Sequence, residues 1–150
     1  MRRTSLHVFL VAALKLIVLA CAEREVRSHD GTADQPMEEH ARLGASFVSG
    51  DSAALRRLLH PDLIVQPPSP DSAQQGEAAI EYLLKLVAET AVAESRLEPQ
   101  MVVPEGPFAF EQGVWLVRSG SRVLRSPYTI RWRAVPYGWQ VVLWRWGAFR

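Results

Sequence analysis

The chain has 150 residues, 17 Lys and Arg against 16 Asp and Glu, and one cysteine. A lone cysteine excludes an intramolecular disulfide framework, and the length leaves room for one ordinary domain beyond any targeting segment. Charge is unevenly divided: thirteen acids face six bases from Ala22 to Ser95, and eight arginines face three glutamates from Arg96 to Arg150. The arginines are scattered at strand spacing rather than clustered, so no nucleic-acid partner is expected.

Arg2 and Arg3 form a short positive start, and Leu6 to Ala20 is apolar apart from His7 and Lys15. About 20 apolar residues are needed to span a bilayer. The shorter run suits the apolar stretch of a signal peptide, about 7–15 residues long. Val18-Leu19-Ala20-Cys21 resembles the lipobox of bacterial lipoproteins, with Leu19 where a smaller residue is usual. Ala20-Cys21-Ala22 also suits ordinary signal peptidase, which would leave Glu23 first. The expectation is a signal peptide over residues 1–21, lipidation of Cys21 and a membrane anchor through that lipid. The alternative is a soluble periplasmic or secreted chain. Residues 22–35 carry Val26 as their only large apolar side chain and read as a flexible tether.

The domain is expected over residues 36–150, and its first half reads as helical. Met37, Ala41, Gly44, Phe47 and Val48 recur at helical spacing, and Gly50 ends the pattern. Asp51 or Ser52 should cap a short helix, Ala53 to Leu59, which His60-Pro61-Asp62 breaks. Leu63-Ile64-Val65 reads as a short strand, and the three prolines from Pro67 to Pro70 forbid a central strand there. A longer helix runs from Glu77 to about Ala93, with Ile80, Leu83, Leu84, Val87 and Ala91 on one face.

From Arg96 the period changes to two. Candidate strands are Arg96–Val103, Phe108–Val117, Val123–Ala134 and Trp139–Trp146, with turns at Ser119-Gly120 and Pro136-Tyr137-Gly138. Helices followed by a meander define an α+β class with an antiparallel sheet.

The run from Phe47 to Asp62, with Gly50-Asp51 between two helices, resembles the opening of SnoaL-like domains. These belong to the nuclear-transport-factor-two-like, or cystatin-like cone, superfamily that includes the ketosteroid isomerases. Gly76-Glu77-Ala78-Ala79-Ile80 resembles the start of the third helix, and Ser126 to Arg133 followed by Gly138-Trp139 resembles the closing hairpin. The resemblance covers about Pro36 to Phe149. It implies three N-terminal helices packed on a curved antiparallel sheet that forms a cone with an apolar pocket. It also implies a homodimer.

Isomerase chemistry in that family needs a carboxylate base and acidic donors at an oxyanion. The base position falls on Pro67, the first oxyanion position near Leu43, and Ser126 to Ala134 contains no Asp or Glu. All three roles are vacant, so this type of catalysis is not expected. An enzyme with a relocated pair, such as His60 with Asp62 or Tyr82, is the alternative reading. A dimerising or docking module that uses the basic sheet face is a third. His29, His40 and His60 show no metal-ligand spacing, and no cofactor is expected. The aromatics remain. Tyr82, Trp115, Tyr128, Trp132 and Trp144, with Arg133 as a polar handle, are the candidate pocket residues for a small apolar ligand.

Overall fold

The computed structural model describes residues 36–90 and 92–150. The expected signal peptide, Cys21, the tether and Ala91 lie outside the described residues. No helix among the described residues is long and apolar enough to cross a membrane.

Three helices occur among them: α1 (Pro36–Ser49), α2 (Ser52–Arg57) and α3 (Glu77–Glu89). Pro36 stands at the first position of α1, where a missing N–H costs no helical bond, and Glu38 and Glu39 suit the positive end of the helix. Gly50 then takes φ +67°, and the Asp51 carboxylate accepts the Ala54 N–H at 2.8 Å to start α2.

Six strands follow the chain as β1 (Leu59–Gln66), β2 (Gln74–Gln75), β3 (Glu94–Glu105), β4 (Phe108–Ser119), β5 (Arg122–Val135) and β6 (Gly138–Trp146). They form one sheet in the order β2-β1-β6-β5-β4-β3. The expected wholly antiparallel sheet is corrected at one seam, because β1 runs parallel to β6, with Ile64 opposite Leu143. No turn joins those two strands, so alternation along the chain could not show how they pair. His60-Pro61-Asp62, expected to be a break, lies inside β1. Its proline is tolerated because the ladder to β6 shifts register between Leu59 and Ile64. Further shifts interrupt β3 against β4 and β5 against β6. Such irregularities bend and twist a sheet, which is how this one curves around the helices.

The apolar stripe of α1 is also rotated from the expected one. Met37 and Val48 are 40% and 47% exposed, while Glu39, His40, Leu43, Gly44 and Phe47 are buried. Gly44 explains part of this. A Cβ there would stand 2.8 Å from the Ser95 carbonyl oxygen, so the glycine lets α1 lie directly on β3. α3 presents Ala79, Ile80, Leu83 and Val87 to the same interior, and Leu63 and Val65 meet them from β1. The inner sheet face contributes Trp115, Tyr128, Ile130, Trp132, Val141, Trp144 and Trp146. Each such side chain contributes about 1.5–3 kcal/mol when fully buried.

Pro127 lies in β5 between two neighbours, a position proline usually avoids. In a strand the N–H and C=O of one residue point the same way, and the Pro127 carbonyl accepts the Gly147 N–H at 2.9 Å. The missing donor of Pro127 would therefore have faced the Gly147 carbonyl. The Ser126 hydroxyl donates to that carbonyl instead, at 2.8 Å, from a fully buried residue. Ser126→Ala should leave the carbonyl without its donor and cost about 1–3 kcal/mol. Urea denaturation against Ser121→Ala, an exposed control expected within about 0.5 kcal/mol of the parent, measures it. Equal midpoints would remove Ser126 from this role.

Candidate functional site

Period two in β4 puts Ala109, Glu111, Gly113 and Trp115 on the inner face. Glu111 is therefore a carboxylate with no exposed surface in the core. One turn before Leu43, α1 brings His40 to it, with Nδ1 3.0 Å from Oε1. The other ring nitrogen, Nε2, lies 2.6 Å from the Leu97 carbonyl oxygen on β3. From β5, Tyr128 donates its hydroxyl to Oε1, and Trp132 donates Nε1–H to Oε2 at 2.8 Å.

The protonation state follows from these partners. A carbonyl can only accept, so Nε2 carries a hydrogen. Oε1 already accepts from Tyr128, and the carboxylate is best served by a third donor on Nδ1, which makes His40 an imidazolium. Burial lowers the affinity of His40 for that proton, but the hydrogen bond and charge of Glu111, aided by Leu97, outweigh it and raise the pKa above 6.5. The Tyr128 phenol is pushed strongly upward, first by burial and then by the Glu111 charge, so it stays a donor.

This network ties α1 to β3, β4 and β5, and it restricts the chemistry. Glu111 accepts from three protein donors and lines none of the hollows described below. Sequence reasoning missed both His40 and Glu111. The available signal was parity: a charged residue at an inward position of a strand otherwise built of Ala, Gly and Trp.

The six candidate pocket residues do not converge. Trp115 is buried and donates to Ser95 Oγ at 3.0 Å. Tyr128 and Trp132 are committed to Glu111. Trp144 is fully buried among Phe47, Trp115 and Trp146, with ring centroids 5.1–5.7 Å away, and its Nε1–H has no hydrogen-bond acceptor. Tyr82 donates to Asp71 at 3.0 Å, and its pKa is raised to about 12, first by burial and then by Asp71. Arg133 lies on the opposite, outer face of the sheet, 3.3 Å from His60 Nε2. His60 and Asp62 meet at the sheet rim, where the Asp62 side chain is 79% exposed. Pro67 follows β1, and Leu43 is core.

The described residues enclose several hollows, of which three bear on the site. One, of about 240 Å³, is lined mainly by Phe47, Leu86, Val92, Trp115, Val117, Leu124 and Phe149. The terminal segment closes one side of it. Arg150 and Arg125 exchange two backbone hydrogen bonds of 3.0 Å, and the Phe149 ring rests 5.3 Å from Trp115. A second, of about 590 Å³, lies between α1, α2 and the β5–β6 turn, beside Arg42, Arg57, Tyr137 and Trp139. The third, of about 440 Å³, lies on the outer sheet face beside Gln112, Thr129 and Arg145. No three His, Cys, Asp or Glu side chains among the described residues gather as metal ligands.

A curved six-stranded sheet wrapped over helices, with an aromatic-filled inner face, defines a cone-shaped α+β domain. Solved structures sharpen that class to the NTF2-like, or cystatin-like, fold. An NTF2-like protein from Shewanella oneidensis is similar over 77% of this chain and 98% of its own, with a TM-score of 0.65 at 12% identity. An NTF2-like protein with a cystatin-like fold from Novosphingobium aromaticivorans is similar over 97% and 91%, with a TM-score of 0.59 at 24% identity. A third, from Streptomyces avermitilis and provisionally labelled a dehydratase of the NTF2-like family, covers 79% and 96%, with a TM-score of 0.64 at 15% identity. No family profile and no curated protein sequence matches the chain.

The network makes two predictions. His40→Leu strands a buried carboxylate and should cost about 3–5 kcal/mol in urea denaturation. In the parent, the folded state holds the His40 proton more tightly than the unfolded chain. That stabilisation is complete below pH 6.5 and is lost as pH rises through the raised folded-state value. Denaturation at stepped pH should show this loss in the parent and not in His40→Leu; parallel curves would contradict it.

Proposed function

We propose that this chain is an exported, lipid-anchored SnoaL-like cone domain that holds a small apolar ligand without catalysing its conversion. The observation that carries the binding part is the 240 Å³ hollow with its Trp115 and Phe149 walls. An engineered apolar cavity of about 150 Å³ accepts benzene, whereas drug-sized ligands occupy about 300–1,000 Å³. A one- or two-ring hydrocarbon skeleton, or a short acyl chain, is the scale that fits. Ser119 and Thr90 on the wall offer one or two hydroxyl contacts.

The non-catalytic part rests on the engagement of the ionisable groups. Glu111 accepts three hydrogen bonds from protein donors, Tyr82 is bound to Asp71, and His60 with Asp62 lies on the rim. None of these groups lines the apolar hollow. Export and anchoring rest on the Arg2-Arg3 start, the apolar run and Cys21.

Calorimetric titration of the whole chain with toluene, naphthalene and octanoate tests the binding. At least one should bind at about 1 µM to 0.5 mM. Leu86→Trp should fill the hollow and abolish the signal while far-ultraviolet circular dichroism stays unchanged. Absence of binding by the parent, or undiminished binding by a folded Leu86→Trp, would contradict the reading. Palmitate labelling that disappears in Cys21→Ala tests the anchor.

A further inference from the structure

We propose that the outer face of the sheet carries a second, separate site for the oxyanion of a small organic molecule, built on Arg145, Thr129 and Gln112. Because Tyr128, Ile130 and Trp132 point inward, Thr129 shares the opposite face with Arg131 and Arg133. The ladders place Gln112 opposite Thr129, Thr129 opposite Arg145, and Arg145 opposite Gln66. Neighbouring strands lie about 4.8 Å apart, so these four donor-bearing side chains form a row about 14 Å long.

Two observations separate this row from an ordinary solvated face. The first is the lack of internal partners. Nearby arginines are engaged: Arg96 with Glu98 at 2.5 Å, and Arg131 with Glu105 at 3.8 Å and over the Phe108 ring at 4.1 Å. Among the described residues, Arg145 has no carboxylate within bridging distance, and the Gln112 and Thr129 side chains make no hydrogen bond. Thr129 is only 7% exposed as a residue, yet its hydroxyl is not among the buried atoms, so it stays open to a ligand. Unpaired guanidinium, amide and hydroxyl donors side by side are ready to take up an acceptor from a ligand.

The second observation is shape. The 440 Å³ hollow is lined by Gln112, Thr129 and Arg145 of this row, together with Gln100, Gly113 and Gly147. Gln100 falls where β3 shifts register against β4, between Pro99 and Met101. The volume exceeds that of a bare inorganic ion and lies within the range of small-molecule sites. A donor-only guanidinium fork, with an amide N–H and a hydroxyl that can donate beside it, suits the oxygens of a carboxylate or phosphate group. The free carboxylates that could compete are already held by Arg96 and Arg131.

Titration of the isotope-labelled whole chain with benzoate, phenyl phosphate and inorganic phosphate, followed by amide and arginine side-chain NMR shifts, tests the site. Benzoate or phenyl phosphate should shift Arg145, Thr129 and Gln112 together, and whichever binds tighter identifies the oxyanion. Arg145→Ala should weaken that binding at least tenfold, and added salt should weaken it further. Thr129→Val should also weaken binding, because it removes one donor from the row. Leu86→Trp should leave these shifts unchanged, which keeps this site independent of the apolar hollow. Equal affinity in Arg145→Ala, shifts centred elsewhere, or a response to inorganic phosphate alone would overturn the proposal.

Discussion

A carboxylate in the core of a small domain imposes more order than any apolar contact can, and here that carboxylate is Glu111. Its charge has no access to water, so it must be surrounded by protein donors. His40, Tyr128 and Trp132 provide them from α1 and β5. His40 in turn needs an acceptor for its second N–H, and Leu97 on β3 supplies it. An apolar stripe could pack with α1 rotated by some tens of degrees at modest cost. The imidazolium–carboxylate pair could not, because rotation would leave two buried charges unpaired. Much of the geometry of the cone follows from this one contact.

The rest of the inner face is filled rather than left open. Phe47, Trp115, Trp144, Trp146 and Phe149 meet at centroid distances of 5.0–5.8 Å, in mostly edge-on arrangements that favour aromatic pairs. Packed tryptophans leave a hollow only at the margin, where α3 ends and the terminal segment crosses. A cone filled in this way limits both the size of a ligand and the chance of a polar reaction inside it. The polar capacity of the domain has moved to the outer face, where arginines alternate with apolar residues along β5.

Much of this was legible in the sequence for identifiable reasons. Gly50-Asp51 signals a helix end followed by a cap, and the four long strands declare themselves through alternation and turn glycines. Ser126 to Ala134 alternates so regularly that it settles which side chains share a face. Three features were not legible. The parallel seam between β1 and β6 joins segments that no turn connects. Pro61 breaks helices and most ladders, yet a register shift accommodates it. His40 read as one more polar residue on a helix whose apolar neighbours, Met37 and Val48, seemed to mark the inner side. The partners that bury His40 lie on β3 and β4, far along the chain, and local period cannot reveal them.

The account depends on His40 being doubly protonated inside the fold. Nitrogen NMR of the His40 ring at about pH 6, below the ordinary imidazole value of roughly 6.5, and then with rising pH measures this directly. The proton is predicted to leave at a higher pH than from an ordinary imidazole. Hydrogens on both Nδ1 and Nε2 are the predicted result, with the Nδ1 proton strongly hydrogen-bonded. A neutral ring with one bare nitrogen would contradict the ion pair, and with it the reading of Glu111 as the charged anchor that holds α1 to the sheet.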